Sequence, residues 1–272
     1  MSVVSLRRPP ARAAVRLPPW AQGWLLPRLL LLGVLLAAWE LVARSGWVSR
    51  LFLVGPGEVV LAFWKLAGSG RLWLDLQASV LELGLGFALG VGTAIPAGLL
   101  LGTFRRLEIA LEPYLMGLYA TPRVAFYPML IAWLGFGLSS QVALLFLSTF
   151  FPVCINTWSG VKTVDPVLIR AARSFGANQL QLFTKVVLPY TLPFITAGIR
   201  VALGRGLIAL YVVEAFGANA GLGYLIAQAG TEYRVGDLFV GVLVLAGLGV
   251  LFDGALRWAE RRLAPWRPEP PL

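Results

Sequence analysis

The chain has 272 residues, 58% of them hydrophobic and only 13% charged, with a mean hydropathy of +0.78. A soluble domain carries about 45–50% apolar and about 25% charged residues, so a water-soluble globule and a disordered chain are both excluded. The net charge of +10, from 23 Lys and Arg against 13 Asp and Glu, reads in such a chain as the basic bias of cytoplasmic loops rather than as a nucleic-acid surface.

Residues 1–23 form a basic tail, with Arg7, Arg8, Arg12 and Arg16 among Pro9, Pro10, Pro18 and Pro19. It is expected to be a disordered cytoplasmic arm. A basic tail before an apolar run also resembles a secretion signal. No small-x-small cleavage site follows, however, and further apolar spans do, so the first helix (24–43) is expected to be retained. A membrane helix needs about 20 mostly apolar residues. Six stretches qualify: 25–43, 78–102, 112–136, 141–160, 193–216 and 237–257. The third is interrupted by Pro113, Pro122 and Pro128. With the N-terminus inside and six crossings, 14 of the 23 basic residues fall in cytoplasmic segments. This favours both termini inside, with 261–272 as a cytoplasmic C-terminal tail.

The external segment 44–77 opens at Gly55-Pro56 and carries apolar residues at helical spacing from Val59 to Leu76. Its tryptophans suit a helix lying at the membrane interface. A docking platform for an external partner is the alternative. The core then runs over 78–260. Along the second span Gly86, Gly90, Ala94, Gly98 and Gly102 recur every four residues, a stripe that permits close helix approach. That stripe serves packing within the subunit, or a surface that slides or meets a second subunit. Gly198, Ala202 and Gly206 form a similar stripe in the fifth span.

The inner loop 161–192 carries the most information. Asp165-Pro166 starts a helix, since Asp caps free N–H groups and Pro fits the first helical position. Gly176 interrupts it, a second short helix follows, and Leu188-Pro189 closes the loop. A structured loop of this length is usually functional.

Arg170-Ala171-Ala172-x-x-x-Gly176, nine residues, then Val186-x-Leu188-Pro189 resembles the EAA loop of permease subunits of ATP-binding-cassette importers. Asn156-Thr157, Gly198-Ile199-Arg200 and Gly221-Leu222-Gly223-Tyr224-Leu225-Ile226 extend the resemblance to the nitrate, sulfonate and taurine branch, over about residues 50–267. The resemblance implies an all-α membrane protein of about six transmembrane helices with type I importer architecture. It also implies a bacterial inner membrane location. In that family the loop sits in a groove of a cytoplasmic ATPase and transmits its opening and closing. The coupling residues expected here are Asp165, Arg170, Ala171, Ala172, Arg173, Ser174, Phe175, Gly176, Ala177, Gln179, Leu188 and Pro189. One departure stands out: the family's leading Glu is Arg170 here, reversing a charge at the contact.

Charges within the spans are costly and should face protein or water. Arg123, Asn156, Arg200, Arg205 and Glu214 are therefore candidates for the translocation path, where the arginines would favour an anion such as a sulfonate, taurine or nitrate. The alternative is structural: arginines bonding loose carbonyls, or pairing with Glu82 or Glu214. There is no His and one cysteine, Cys154, so no metal site and no imidazole catalysis is expected. No Gly-x-x-x-x-Gly-Lys-[Ser/Thr] loop occurs. The chain is expected to bind no cofactor and to rely on ATP and Mg held by a separate ATPase. The implied assembly is two permease subunits, the second expected to be another copy of this chain, with two ATPases, an external binding protein and membrane lipid. A stand-alone secondary transporter and a membrane scaffold are the competing readings. The structured inner loop argues against the first.

Overall fold

A computed structural model describes residues 25–263; the basic tail 1–23 and most of the C-terminal tail lie outside them. Among the described residues all regular structure is helical. The chain divides into two compact units between Gly57 and Glu58. The first holds α1 (Leu25–Arg44), whose Glu40 pairs with Arg44 at 2.5 Å and whose Trp39 indole donates to the Val54 carbonyl at 3.0 Å.

Helix α2 spans Pro56–Gly68 and α3 Arg71–Thr103. Between them Gly70 takes φ +78°, a left-handed conformation that glycine adopts without a Cβ penalty. The helical reading over 59–76 thus divides here: residues 71–76 are the first turns of the 33-residue α3 rather than part of the preceding helix. The second unit continues with α4 (Arg105–Ala120), a 3-10 turn at Arg123–Phe126, α5 (Tyr127–Leu134) and α6 (Leu138–Lys162). Then come α7 (Pro166–Ser174), α8 (Gln179–Leu182), a π turn at Phe183–Val187 and α9 (Leu188–Gly217). Helices α10 (Leu222–Thr231) and α11 (Val235–Leu263) complete it.

Among the described residues four stretches are long and apolar enough to cross a membrane: Arg71–Thr103, Leu138–Lys162, Gln179–Gly217 and Val235–Arg262. The third expected span is not one helix. Thr121 and Pro122 are extended and separate α4 from the turn and α5. Pro122 explains the break, because it disfavours helical backbone at Thr121 and has no N–H to continue the ladder.

Helix α6 is the hub, packed between α3 and α9. The glycine stripe of α3 faces it. A Cβ on Gly90 would lie 2.6 Å from Thr149 Cβ, and one on Gly98 would lie 2.6 Å from the Cys154 carbonyl oxygen. Gly86 and Gly102 approach Leu145 and Val161 as closely. In α9, Gly198 sits against Asn156 and Val153. The stripes therefore bring three helices of one subunit together. Ala94, Leu101, Val153, Cys154, Trp158 and Ala202 fill the junction. Cys154 is one of its fully buried members. The outward faces of α3, α9 and α11 leave large apolar side chains exposed, among them Leu81, Ile208 and Leu251, as lipid contact requires.

Candidate functional site

The connection from α6 to α9 is built from backbone outward. Asp165 caps α7 by accepting the Val167 N–H at 2.7 Å, with Pro166 in the first turn. The helix ends in a Schellman motif. The Gly176 N–H donates to the Arg173 carbonyl at 2.9 Å and the Ala177 N–H to the Ala172 carbonyl at 3.1 Å. This geometry needs a left-handed residue at Gly176, which has φ +77°. Asn178 and Gln181 then form a reciprocal capping box that starts α8. The π turn follows because Pro189 has no N–H, and the Leu188 N–H reaches back to the Phe183 carbonyl. Each end of the two short helices is thereby satisfied.

The side chains this scaffold presents are unusual. Phe175 is 92% exposed and Leu180 71%. Val167 and Leu168 are exposed as well. Arg170, Arg173, Ser174 and Gln179 are exposed around them, while Ala171 lies on the open face and Ala172 and Ala177 are half-buried. Arg170 and Arg173 make no ion pair among the described residues, in contrast to Arg105, Arg200 and Arg257. An element with capped turns that exposes apolar side chains among cations is suited to meeting another protein.

Beside this element sits a clamp that sequence reasoning did not find. Glu108, 3% exposed, accepts hydrogen bonds from Lys162 and, at 2.7 Å, from Arg105. Lys162 also lies over the Trp158 ring, 5.4 Å from its centroid. The hydrogen bonds from Lys162 and Arg105 hold the Glu108 carboxyl below the usual carboxylate range. The clamp ties the start of α4 to the last turn of α6, just before the loop begins. Its signal in the sequence was only an Arg-x-x-Glu spacing, with the third member 54 residues away.

The intramembrane candidates separate. Arg200 donates to Glu260 at 2.7 Å and lies 3.8 Å from Asp253, so it ties α9 to α11. Its partners are Glu260 and Asp253 rather than Glu82 or Glu214, which the structural alternative names. Asn156 donates to the Pro152 carbonyl at 2.8 Å within α6. Glu214 is fully buried and serves a helix start. It accepts from Ser79 and from the Gly223 N–H, both at 2.5 Å. Asp75 accepts the Gly221 N–H at 3.0 Å, and Ser79 accepts the Leu222 N–H at 2.8 Å. Three polar side chains thus satisfy the first N–H groups of α10, which no residue of α10 itself can do. The Gly-Leu-Gly string is explained by the same contact: a Cβ on Gly223 would lie 2.8 Å from the Tyr211 carbonyl oxygen.

Arg123 and Arg205 remain, and the structure brings them together. Both guanidinium carbons lie over the Tyr119 ring, at 5.1 Å and 4.7 Å from its centroid. Arg123 donates to the Tyr119 carbonyl at 2.8 Å. A separate cavity of about 650 Å³ opens at the far end of α9, lined by Glu82, Gln141, Phe136, Phe216 and Asn219 among others.

Comparison with known proteins identifies the family. The profile of the binding-protein-dependent transport system inner membrane component matches residues 94–265. The chain is 38% identical over 248 residues to a protein of Bacillus subtilis named as an aliphatic sulfonates transport permease, covering 91% of this chain and 88% of that one. It is 35% identical to the taurine transport system permease protein of Escherichia coli, with 88% of each chain covered. Among solved structures it is similar to an inward-facing methionine ABC transporter, with a TM-score of 0.59 and 21% identity over 71% of this chain and 97% of that chain. The chain therefore belongs to the binding-protein-dependent transport system inner membrane components, as a multi-pass ABC importer permease of the branch that holds the sulfonate and taurine relatives.

Proposed function

We propose that this permease couples to a separate cytoplasmic ATPase through 165–189 and carries a small organic anion of the sulfonate or taurine class. The observation that carries the coupling reading is Phe175. An aromatic side chain 92% exposed on a scaffold whose turns are all capped is positioned for a partner's groove. Arg170 stands where the resembling loops carry Glu, so the partner groove is expected to offer an acidic rather than a basic group at that rim. The chain supplies no phosphate-binding loop of its own, so ATP and Mg belong to the partner.

The assembly we infer has two copies of this permease, two ATPases and an external binding protein, which selects the cargo. Both termini face the cytoplasm, on the basic-residue distribution. The substrate class rests on what the relatives are named for and on the two cations, Arg123 and Arg205, left unpaired by carboxylates among the described residues. Arg200, Asn156 and Glu214 are assigned to structure instead.

The test is deletion of 170–182, and Phe175→Asp as the milder form. The helical bundle should stay folded while the ATPase no longer co-purifies or is no longer stimulated. Full co-purification with normal stimulation in both variants would sink the coupling assignment.

A further inference from the structure

Helix α4 stops at Ala120, and the next two residues are extended before the turn that carries Arg123. Tyr119 lies 14 residues into α4, roughly 21 Å from its start at 1.5 Å per residue. Arg205 lies 12 residues before the end of α9, roughly 18 Å from it. By these lengths both positions would fall well inside a hydrocarbon layer of about 30 Å. Irregular backbone at such depth is stable where it is buried in protein or lines a watered cavity. Secondary transporters, too, form substrate sites at broken helices near mid-depth.

Two like charges gathered on one ring at this depth repel each other unless something offsets them. The Tyr119 ring does part of this through its π face, and Phe151 adds a second ring 5.7 Å from Arg123. No carboxylate pairs with Arg123 or Arg205 among the described residues, whereas Arg71, Arg200 and Arg234 all have one. The Arg123 Nε is buried and has no acceptor. A buried guanidinium N–H normally finds a partner. The arrangement thus has donors and positive charge to spare, and lacks an acceptor.

We propose that Tyr119, Arg123 and Arg205 form a holding station for a singly charged oxyanion, the sulfonate head of the cargo, at the break between α4 and α5. Planar guanidinium forks match the oxygens of such a head. Arg123 is fixed by its bond to the Tyr119 carbonyl, while Arg205 has no protein hydrogen bond among the described residues and is free to follow the anion as α9 moves. Tyr119 is a positioning residue: its ring holds both cations apart from lipid. This assignment rests on the permease reading.

Phenylglyoxal modifies guanidinium groups and tests the site in the unaltered chain. The full complex in lipid nanodiscs is treated with it in the presence of ethanesulfonate, of choline, or of neither, and mass spectrometry reads each arginine. Ethanesulfonate should slow modification at Arg123 and Arg205 by about tenfold, the scale of one charge-assisted hydrogen bond. It should leave the exposed Arg106 unchanged, and choline should protect none. In Arg205→Gln the protection at Arg123 should weaken severalfold. Equal slowing at Arg106, or no slowing at either inner arginine, would overturn the proposal. If no ATPase accompanies the chain, the importer reading fails, and the same protection measured on the chain alone still decides the station.

Discussion

The close approach of α3 to α6 can be tested by a pair of glycines on one helix. A Cβ added at Gly98 would lie 2.6 Å from the Cys154 carbonyl oxygen and 2.6 Å from Thr157 Cβ. Neither neighbour can yield. The carbonyl belongs to the backbone of α6, and Thr157 is held by its hydroxyl bond to the Val153 carbonyl at 2.7 Å. Gly92, six residues earlier, has nothing within 4 Å of the same added atom. Replacing Gly by Ala gains about 1 kcal/mol of helix propensity at either position, so that contribution cancels between the two variants. What remains is overpacking at Gly98 alone, about 1–3 kcal/mol. Purified Gly98→Ala and Gly92→Ala chains are heated in detergent, and the folded fraction is read by size exclusion. Gly98→Ala should unfold at the lower temperature and Gly92→Ala at or above the wild-type midpoint. Equal midpoints would show that α3 and α6 are not pressed together at Gly98.

Other expectations follow from the loop, the clamp and the α10 start. Gly176→Ala forces a Cβ into left-handed backbone at about 1–2 kcal/mol. There is open space around it, so the damage should be confined to α7–α8; Gly176→Asn should be milder, with proteolysis across 174–180 as the measure. The Glu108 carboxyl is held low in the folded chain, so the clamp contributes fully above the ordinary carboxylate value of about 4.3 and is lost as pH falls through the lower folded value. Melting from neutral to acid pH should show this loss in the wild type and a flatter profile in Glu108→Gln. Glu214→Leu leaves the Gly223 N–H and the Ser79 hydroxyl without that partner, at roughly 1–3 kcal/mol for each. Glu214→Gln retains an acceptor and should cost less, and equal melting of the two would contradict the capping role.

Local features were the ones legible from the residues. Apolar length marked the spans, the four-residue glycine period marked a close-packed face, and Asp165-Pro166 with Gly176 marked the helix–Gly–helix loop. Pro122 signalled trouble in the third span without showing that the helix stops at Ala120. What escaped was set by partners far apart in the chain. Ser79 and Glu214 are 135 residues apart, and Arg200 meets Glu260 across 60. No spacing rule reports such pairs, because they depend on how helices cross. The convergence of Arg123 and Arg205 on Tyr119 is hidden for the same reason. A charge count saw intramembrane arginines but could not divide the neutralised one from the two that no carboxylate pairs among the described residues.

The π turn at 183–187 has a mechanical consequence. It leaves Gln179–Gly217 as one uninterrupted helical run of 39 residues, so α8 and Arg205 are two points on the same rod, about 40 Å apart at 1.5 Å per residue. The other side of the loop is jointed, at Gly176 and again at Thr163–Asp165. A push on the outer element would therefore be taken up as swivel on the α6 side and delivered as tilt on the α9 side. In the proposed coupling the loop would act as a one-sided lever, with the Arg205 guanidinium on its long arm.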